Sequence, residues 1–426
     1  MNSQSNKSQT KRINSSIIRR GVIVVSTSLI VLLTAGACSV PGFSPRAQDT
    51  LGIIKRDPSV LQSGFGRVNN VQTLSGEVVQ NGLGGLSGLK LEYLEEDTLW
   101  YLSRQKGLFI STNGGRFWER KYIFEVSSPS DTDEDTFNSQ IAANDALRLT
   151  DFALDPSDPQ TIYVSGLQGG IGKIWISADK GETFREIYSE VEQDIAVQFL
   201  AVDSQTSGNV YAMLEEGALI ASRDGGRTWT KLREFNADPV QMGFVEEFGD
   251  LFYILFANEG LFISEDNGVV WNQQQTTKAP SEIGEQQPKD SLDVPFVGSD
   301  EFGVFEKILP VRASNDGGWI LIADGQLWYS ETAGGVYRKL VLPLQGEQFN
   351  LLDAEPDPEQ GLGRLYVSID NKLFRTENRG ESWTTGDLIQ LSTPIGQIGE
   401  IVIDPGNPEI QYLMLVEDGS SRGLFG

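Results

Sequence analysis

The chain has no histidine and one cysteine, Cys38, in 426 residues. Without histidine there can be no Ser-His-Asp or Cys-His nucleophile pair, no His-ligated zinc and no imidazole pH switch. A lone thiol excludes internal disulfides, four-cysteine zinc sites and CxxC redox chemistry. Positive charge is also scarce, with 34 Lys and Arg against 59 Asp and Glu, a formal charge of -25. Five of those basic residues and none of the acids lie in residues 1–38, so the rest of the chain is more acidic still. Such a surface repels nucleic acid and anionic lipid, and no nucleic-acid partner, metal or cofactor is expected. Proline is sparse, 17 against 46 glycines, and 39% of side chains are hydrophobic. That balance excludes collagen-like and wholly disordered chains and leaves material for a large core.

The only long apolar run is near the start. Lys7, Lys11, Arg12, Arg19 and Arg20 precede residues 21–37, GVIVVSTSLIVLLTAGA, which are short for a membrane span and end in small residues. The pattern reads as an export signal. Leu33-Thr34-Ala35-Gly36-Ala37-Cys38 resembles a bacterial lipobox, which implies diacylation of the Cys38 sulfur and a membrane anchor. An uncleaved signal anchor, with Cys38 a bystander, is the alternative. Both place the rest of the chain outside the membrane, in the extracytoplasmic envelope. Residues 39–50 read as a flexible tether and 51–426 as a single folded domain.

One octapeptide occurs six times: STNGGRFW, SADKGETF, SRDGGRTW, SEDNGVVW, SETAGGVY and TENRGESW. The shared positions are Ser111, Asn113, Gly115 and Trp118; Ser177, Asp179, Gly181 and Phe184; Ser222, Asp224, Gly226 and Trp229. They continue with Ser264, Asp266, Gly268 and Trp271; Ser330, Thr332, Gly334 and Tyr337; Thr376, Asn378, Gly380 and Trp383. The fifth copy departs from the pattern at Thr332. Each copy follows a short apolar strand and leads into another, so it is a hairpin turn. The short polar side chain can accept backbone N–H bonds, the glycine allows φ > 0, and the aromatic covers the turn. These residues are expected to be structural.

The octapeptides resemble the Asp-box, or BNR repeat, of sialidases, sortilin-type receptors, xyloglucanases and photosystem assembly-factor propellers. Upstream lies a second recurring unit, an apolar strand ending in an Asp turn, as in Phe152 to Pro159 and Ile401 to Pro408. Four strands per unit, repeated, make a β-propeller. Successive octapeptide glycines are 66, 45, 42, 66 and 46 residues apart, which fits one blade each once two insertions are set aside. The insertions are Val126 to Asn144, with the acidic run Asp131 to Asp135 read as solvated surface, and Gln273 to Gly303.

After the sixth octapeptide, Ile398 to Ile403, Gln411 to Val416 and Arg422 to Phe425 supply further strands. The expected fold is therefore all-β, a seven-bladed propeller of four-stranded antiparallel blades. Its last blade would be completed by a strand from residues 51–80 lying antiparallel to Arg422 to Phe425.

Function is harder to read. A sialidase would need an Arg-Ile-Pro near its first blade, and none occurs. Xyloglucanase-type enzymes set two carboxylates across a cleft between two propellers, and this chain has residues for one. All eight tryptophans fall in octapeptides or predicted strands, so no spare aromatic platform is left for sugar. No catalytic residue is assigned. The expected role is a lipid-anchored, monomeric scaffold that binds a protein, peptide or glycan. A glycoside hydrolase of the Asp-box type and a purely structural envelope spacer are the alternatives.

Overall fold

The computed structural model describes residues 52–56, 65–67, 71–72, 78–79, 87–95, 97–245, 251–274, 277–278, 302–311, 318–332, 335–343, 349–357, 361–369, 372–378, 380–385, 397–404 and 410–416. Cys38, the tether at 39–50, Gly334 and the expected strand at Arg422 to Phe425 lie outside them.

The sheet formed by Val197–Val202, Val210–Leu214, Ala218–Ser222 and Thr230–Glu234 shows how the repeating unit is built. The strands pair antiparallel in chain order, inner to outer. The second and third are buried throughout, whereas the fourth is mostly exposed. The sequence dictates this: VYAML and ALIAS are continuous apolar runs, as strands covered on both faces must be, while TKLRE alternates charge into solvent. Between the first two strands, buried Asp203 accepts the Gln205 amide at 2.8 Å and Asn209 Nδ2 at 3.0 Å. Asp155 occupies the same place in the preceding sheet, and its carboxylate also takes Ser207 Oγ of the next sheet at 2.7 Å.

The architecture is an all-β propeller, but the expectation of a seven-bladed propeller of four-stranded antiparallel blades is corrected. Five sheets have that form; another has five strands and another six. The extra strands are very short. Val71–Gln72 runs parallel to the outer strand Trp118–Lys121, with Val71 opposite Trp118, and Val78–Val79 pairs beside it. Thr277–Lys278 runs parallel to the outer strand Val336–Lys339. Both segments occupy N–H and C=O groups that an outer edge would otherwise leave unpaired. Two-residue strands have no period to read, so nothing in the sequence signals them.

The N-terminal partner also differs from the expected one. Gly52–Arg56 pairs antiparallel with Gln411–Val416, Ile53 opposite Met414, and Phe65–Arg67 then lies outside it. The N-terminal segment thus provides the third and fourth strands of the last sheet, inserted directly beside its second. That sheet touches the first one. Tyr412 Oη donates to Gly114 O at 3.0 Å across 298 residues of chain. Ile53, Tyr412 and Met414 share one buried cluster with Leu91, Tyr101 and Trp118.

Apolar packing is divided among such seams. Other clusters join adjacent sheets in turn, as Tyr163 and Ile174 meet Val210 and Ile220, or Tyr211 and Met213 meet Phe252 and Trp271.

The octapeptide turns close these seams from outside. Ser222 Oγ accepts the Gly226 amide at 2.8 Å and donates to Asp224 Oδ1 at 2.8 Å; Asp224 then accepts the Thr228 amide at 2.8 Å and its hydroxyl at 2.7 Å. The bonds from the Thr228 amide and hydroxyl lower the Asp224 carboxyl to about 2. The turns starting at Ser111, Ser177, Ser264 and Thr376 repeat the glycine-amide bond at 2.8 to 3.0 Å. Gly226 has φ +83°, and a Cβ there would lie 2.3 Å from Ile187 Cδ1 and 3.0 Å from its Cβ, on the preceding sheet. Trp229 Nε1 reaches the same residue, donating to Ile187 O at 2.9 Å. Gly226→Ala is therefore expected to cost about 1–3 kcal/mol, from forced positive φ and displaced Ile187. Urea denaturation measures it, and an unchanged midpoint would contradict the packing role.

The described residues hold one longer helix, Glu134–Asp145, inside the first insertion. Asp133, in the acidic run, caps it by accepting the Thr136 amide at 2.9 Å, and Asp145 at its end binds Lys106 and Arg120 at 2.7 and 2.6 Å. The acidic run is thus the start of a helix as well as the solvated surface expected of it.

A candidate functional site at the inner strands

Every described inner strand carries a β-bulge near its start. The register shifts after Gly88, Val197, Pro239, Phe305, Leu351 and Ile398, and once more opposite Ser165 and Gly166 in Arg148–Leu154. A bulge re-aims the side chain that follows it. The residues immediately after the bulges are Lys90, Asp151, Phe199, Gln241, Lys307, Asp353 and Glu400, of which all but Phe199 are polar.

Four of these side chains bind the next inner strand by one rule. Glu400 Oε2 accepts the Leu91 amide at 2.8 Å, Asp151 Oδ2 accepts the Leu200 amide at 2.8 Å, and Gln241 Oε1 accepts the Ile308 amide at 3.1 Å. Lys90 Nζ, a donor, takes the carbonyl instead, Phe152 O at 2.6 Å. In each case the partner is the residue just after the next strand's own post-bulge position. Lys90 also pairs with Glu92 at 3.0 Å and Asp151 at 3.1 Å. Gln241 Nε2 donates to Tyr253 Oη at 3.0 Å.

Electrostatics follow from this crowding. Burial pulls the Lys90 ammonium down, but Asp151 and Glu92 outweigh it and its pKa is raised, so it stays charged. Burial pushes Glu400 up to about 7; Lys307, the Leu91 amide and Lys90 resist, and Glu92 adds to the rise. Among the described residues it is the one carboxylic acid moved toward neutrality. Glu400 can therefore hold or release a proton near neutral pH, while its bond to Leu91 ties the last sheet to the first.

Chain direction sets which face this polar ring approaches. The post-bulge residues are the third to fifth of their strands, at the end where the connections between sheets arrive. Because the strands alternate in direction, the hairpins between second and third strands share that end, and the octapeptide turns and Asp turns share the other. The first insertion connects the outer strand Trp118–Lys121 to the next inner strand Arg148–Leu154 and so reaches the ring's face, whereas the described part of the second, Thr277–Lys278, lies along an outer strand. On that face a shallow depression of about 240 Å³ is lined by Glu216, Asn236, Ala237, Asp238, Asn258 and Glu259.

The expected structural residues and the ring thus fall at opposite ends of the strands. The octapeptide side chains are gathered into separate turns, one per sheet, and are not brought together into a site. Lys90, Asp151, Gln241, Lys307 and Glu400 do not stand out in the sequence. The inner strands carry other polar residues as well, among them Glu92, Thr150, Gln198 and Glu306, so no residue pattern singles these five out.

The fold and this geometry define a class, the β-propeller with antiparallel four-stranded blades. No family model matches the chain. It is 23% identical over 309 residues to the oligoxyloglucan-reducing end-specific xyloglucanase of Emericella nidulans, an alignment covering 61% of this chain and 36% of that protein. The chain thus spans well under half the length of that curated relative. Among solved structures, YCF48 bound to a D1 peptide is similar at TM-score 0.51 and 12% identity, covering 78% of this chain and 94% of that one. YCF48 from Cyanidioschyzon merolae is similar at TM-score 0.51 and 10% identity, covering 77% and 95%. The GH74 xyloglucanase from Xanthomonas campestris is similar at TM-score 0.52 and 15% identity, covering 78% of this chain and 51% of that one. Identities this low establish the fold and leave activity open.

Proposed function

We propose that the chain is a binding propeller, anchored through Cys38 on the extracytoplasmic side of a membrane, that holds a protein, peptide or glycan partner on the face bearing the first insertion and the polar inner ring. The octapeptides are read as Asp-boxes with a structural role. One observation carries the reading: the first insertion, the second-to-third-strand hairpins and the polar inner ring all belong to one end of the strands. Loops set on a rigid scaffold in this way are where propellers present variable contacts. The similarity to YCF48 bound to a peptide supports a binding role. The xyloglucanase similarities support a glycan partner or, as the alternative, hydrolysis. Against hydrolysis, the acids of the described depression, Glu216, Asp238 and Glu259, sit in an open, shallow surface.

Photo-crosslinking residues placed at Glu216 and Glu259 are expected to capture a partner in cells, and one at Val269, exposed in an octapeptide turn, is not. Capture from Val269 alone, or release of sugars from xyloglucan oligosaccharides by the purified protein, would overturn the reading. For the anchor, the wild-type chain is expected to take up a fatty-acid label and Cys38→Ser to lose it. An unlabelled wild-type chain would remove the lipid anchor from the proposal.

A further inference from the structure

The geometry points to a peptide-docking edge at the outer strand Arg185–Ser189, taking an extended, carboxylate-bearing peptide as a parallel fifth strand. Two observations within the fold argue for the strand mode. The outer strands Trp118–Lys121 and Val336–Lys339 each already carry a parallel addition from the chain itself, Val71–Gln72 and Thr277–Lys278. The rim of this fold therefore accepts a parallel strand beside the segment that follows an octapeptide. Arg185–Ser189 is the equivalent strand of its own sheet, five residues long against four for each occupied edge, and it lies at the end of its sheet's strand order.

The local surface favours this edge over its neighbour. A shallow depression of about 460 Å³ runs along all of Arg185–Ser189 and is bounded on the far side by Gly226 and Arg227 of the next octapeptide turn. Its floor is ordered: Tyr188 packs on Trp229 with ring centroids 5.5 Å apart, and Trp229 holds Ile187 O. The equivalent edge Thr230–Glu234 has its Lys231 paired with Glu234.

Charge selects the occupant. Glu186 is neutralised by Lys173 at 2.7 Å, and Glu190 accepts the Tyr188 hydroxyl at 2.5 Å. Arg185 and Arg227 are both exposed at the depression, and among the described residues neither side chain has an ion pair or hydrogen bond. In a chain with 59 acids and 34 basic residues, two open guanidinium groups beside one strand edge are suited to carboxylate side chains. Backbone pairing would supply the affinity of such a strand, and alternate side chains facing Arg185 and Arg227 its selectivity.

The test uses a fluorescein-labelled nonapeptide alternating Glu and Val, an otherwise identical Lys and Val peptide, and a Glu and Val peptide N-methylated at alternate residues. The Glu and Val peptide is expected to bind saturably and to slow hydrogen exchange at amides within 185–189. The other two peptides should not bind. Arg185→Glu and Arg227→Glu, both surface changes whose folding is checked by circular dichroism, should each weaken binding by about tenfold, equivalent to about 1.4 kcal/mol. No saturation at about 1 mM peptide, the limit of even weak recognition, would overturn the proposal. So would protection appearing elsewhere, equal binding of the N-methylated peptide, or a uronic-acid oligosaccharide protecting the same amides equally well.

Discussion

Removing residues 51–67 is expected to abolish soluble, cooperatively folded protein. Gly52–Arg56 pairs with Gln411–Val416 over five residues, and Ile53 is completely buried in the seam between last and first sheets. Losing one fully buried isoleucine and about five net backbone hydrogen bonds amounts to about 5–8 kcal/mol, comparable to the whole stability of many domains. The strand left behind, QYLMLV, is buried at every position in the intact fold. Exposed as an edge, it becomes a template for pairing between molecules. The expected readouts are aggregation on size-exclusion chromatography and recovery of monomer when residues 51–67 are supplied as a separate peptide. A monomeric deletion variant with unchanged denaturation would show that the seam does not depend on this segment.

Replacing Glu400 with Gln is expected to stabilise the protein in a pH-dependent way. The folded carboxyl sits at about 7, above its ordinary value of 4.5, because burial disfavours the charged form. Below pH 4.5 both folded and unfolded states hold the proton, and the wild-type contribution is fully present. As pH rises from 4.5 through 7 the unfolded chain releases the proton first, so stability is lost, and above 7 the loss levels off. Gln keeps an oxygen for the Leu91 amide and carries no charge. The variant should match wild type near pH 4.5 and exceed it by about 1–3 kcal/mol at pH 8, since each tenfold change in proton affinity between the two states is worth about 1.4 kcal/mol. Chemical denaturation at several pH values measures the difference. A variant destabilised at every pH would mean that attraction to Lys307 and Lys90 outweighs the cost of burying the charge.

Both results concern the seam between the last and first described sheets, which is only partly legible in the sequence. That an N-terminal strand is needed near the end of the chain follows from counting strands after Trp383. That Gly52–Arg56 slips in beside Gln411–Val416 depends on which edge its apolar face can cover, and both Ile53 and Met414 face the same cluster. The helix Glu134–Asp145 escapes a sequence reading for a similar reason. Only Asn144 is buried along it, so it has no apolar stripe, and it is held by its Asp133 cap and by Asp145 binding residues far away in sequence.

Strand content, the repeating unit and the positions of the turns are local properties and can be read from the chain alone. They depend on contacts within about ten residues, such as the Ser222, Asp224 and Gly226 set, whose spacing is written in the octapeptide. The two enlarged sheets, the closing pair and the polar ring arise only when distant strands meet. Lys90, Asp151, Gln241 and Glu400 acquire a shared role because each inner strand bulges at the same place and lies beside the next one. Leu91 and Glu400 are 309 residues apart, yet their bond is 2.8 Å long. A pairing of that kind is set by the closure of the sheets on one another, which no local pattern encodes.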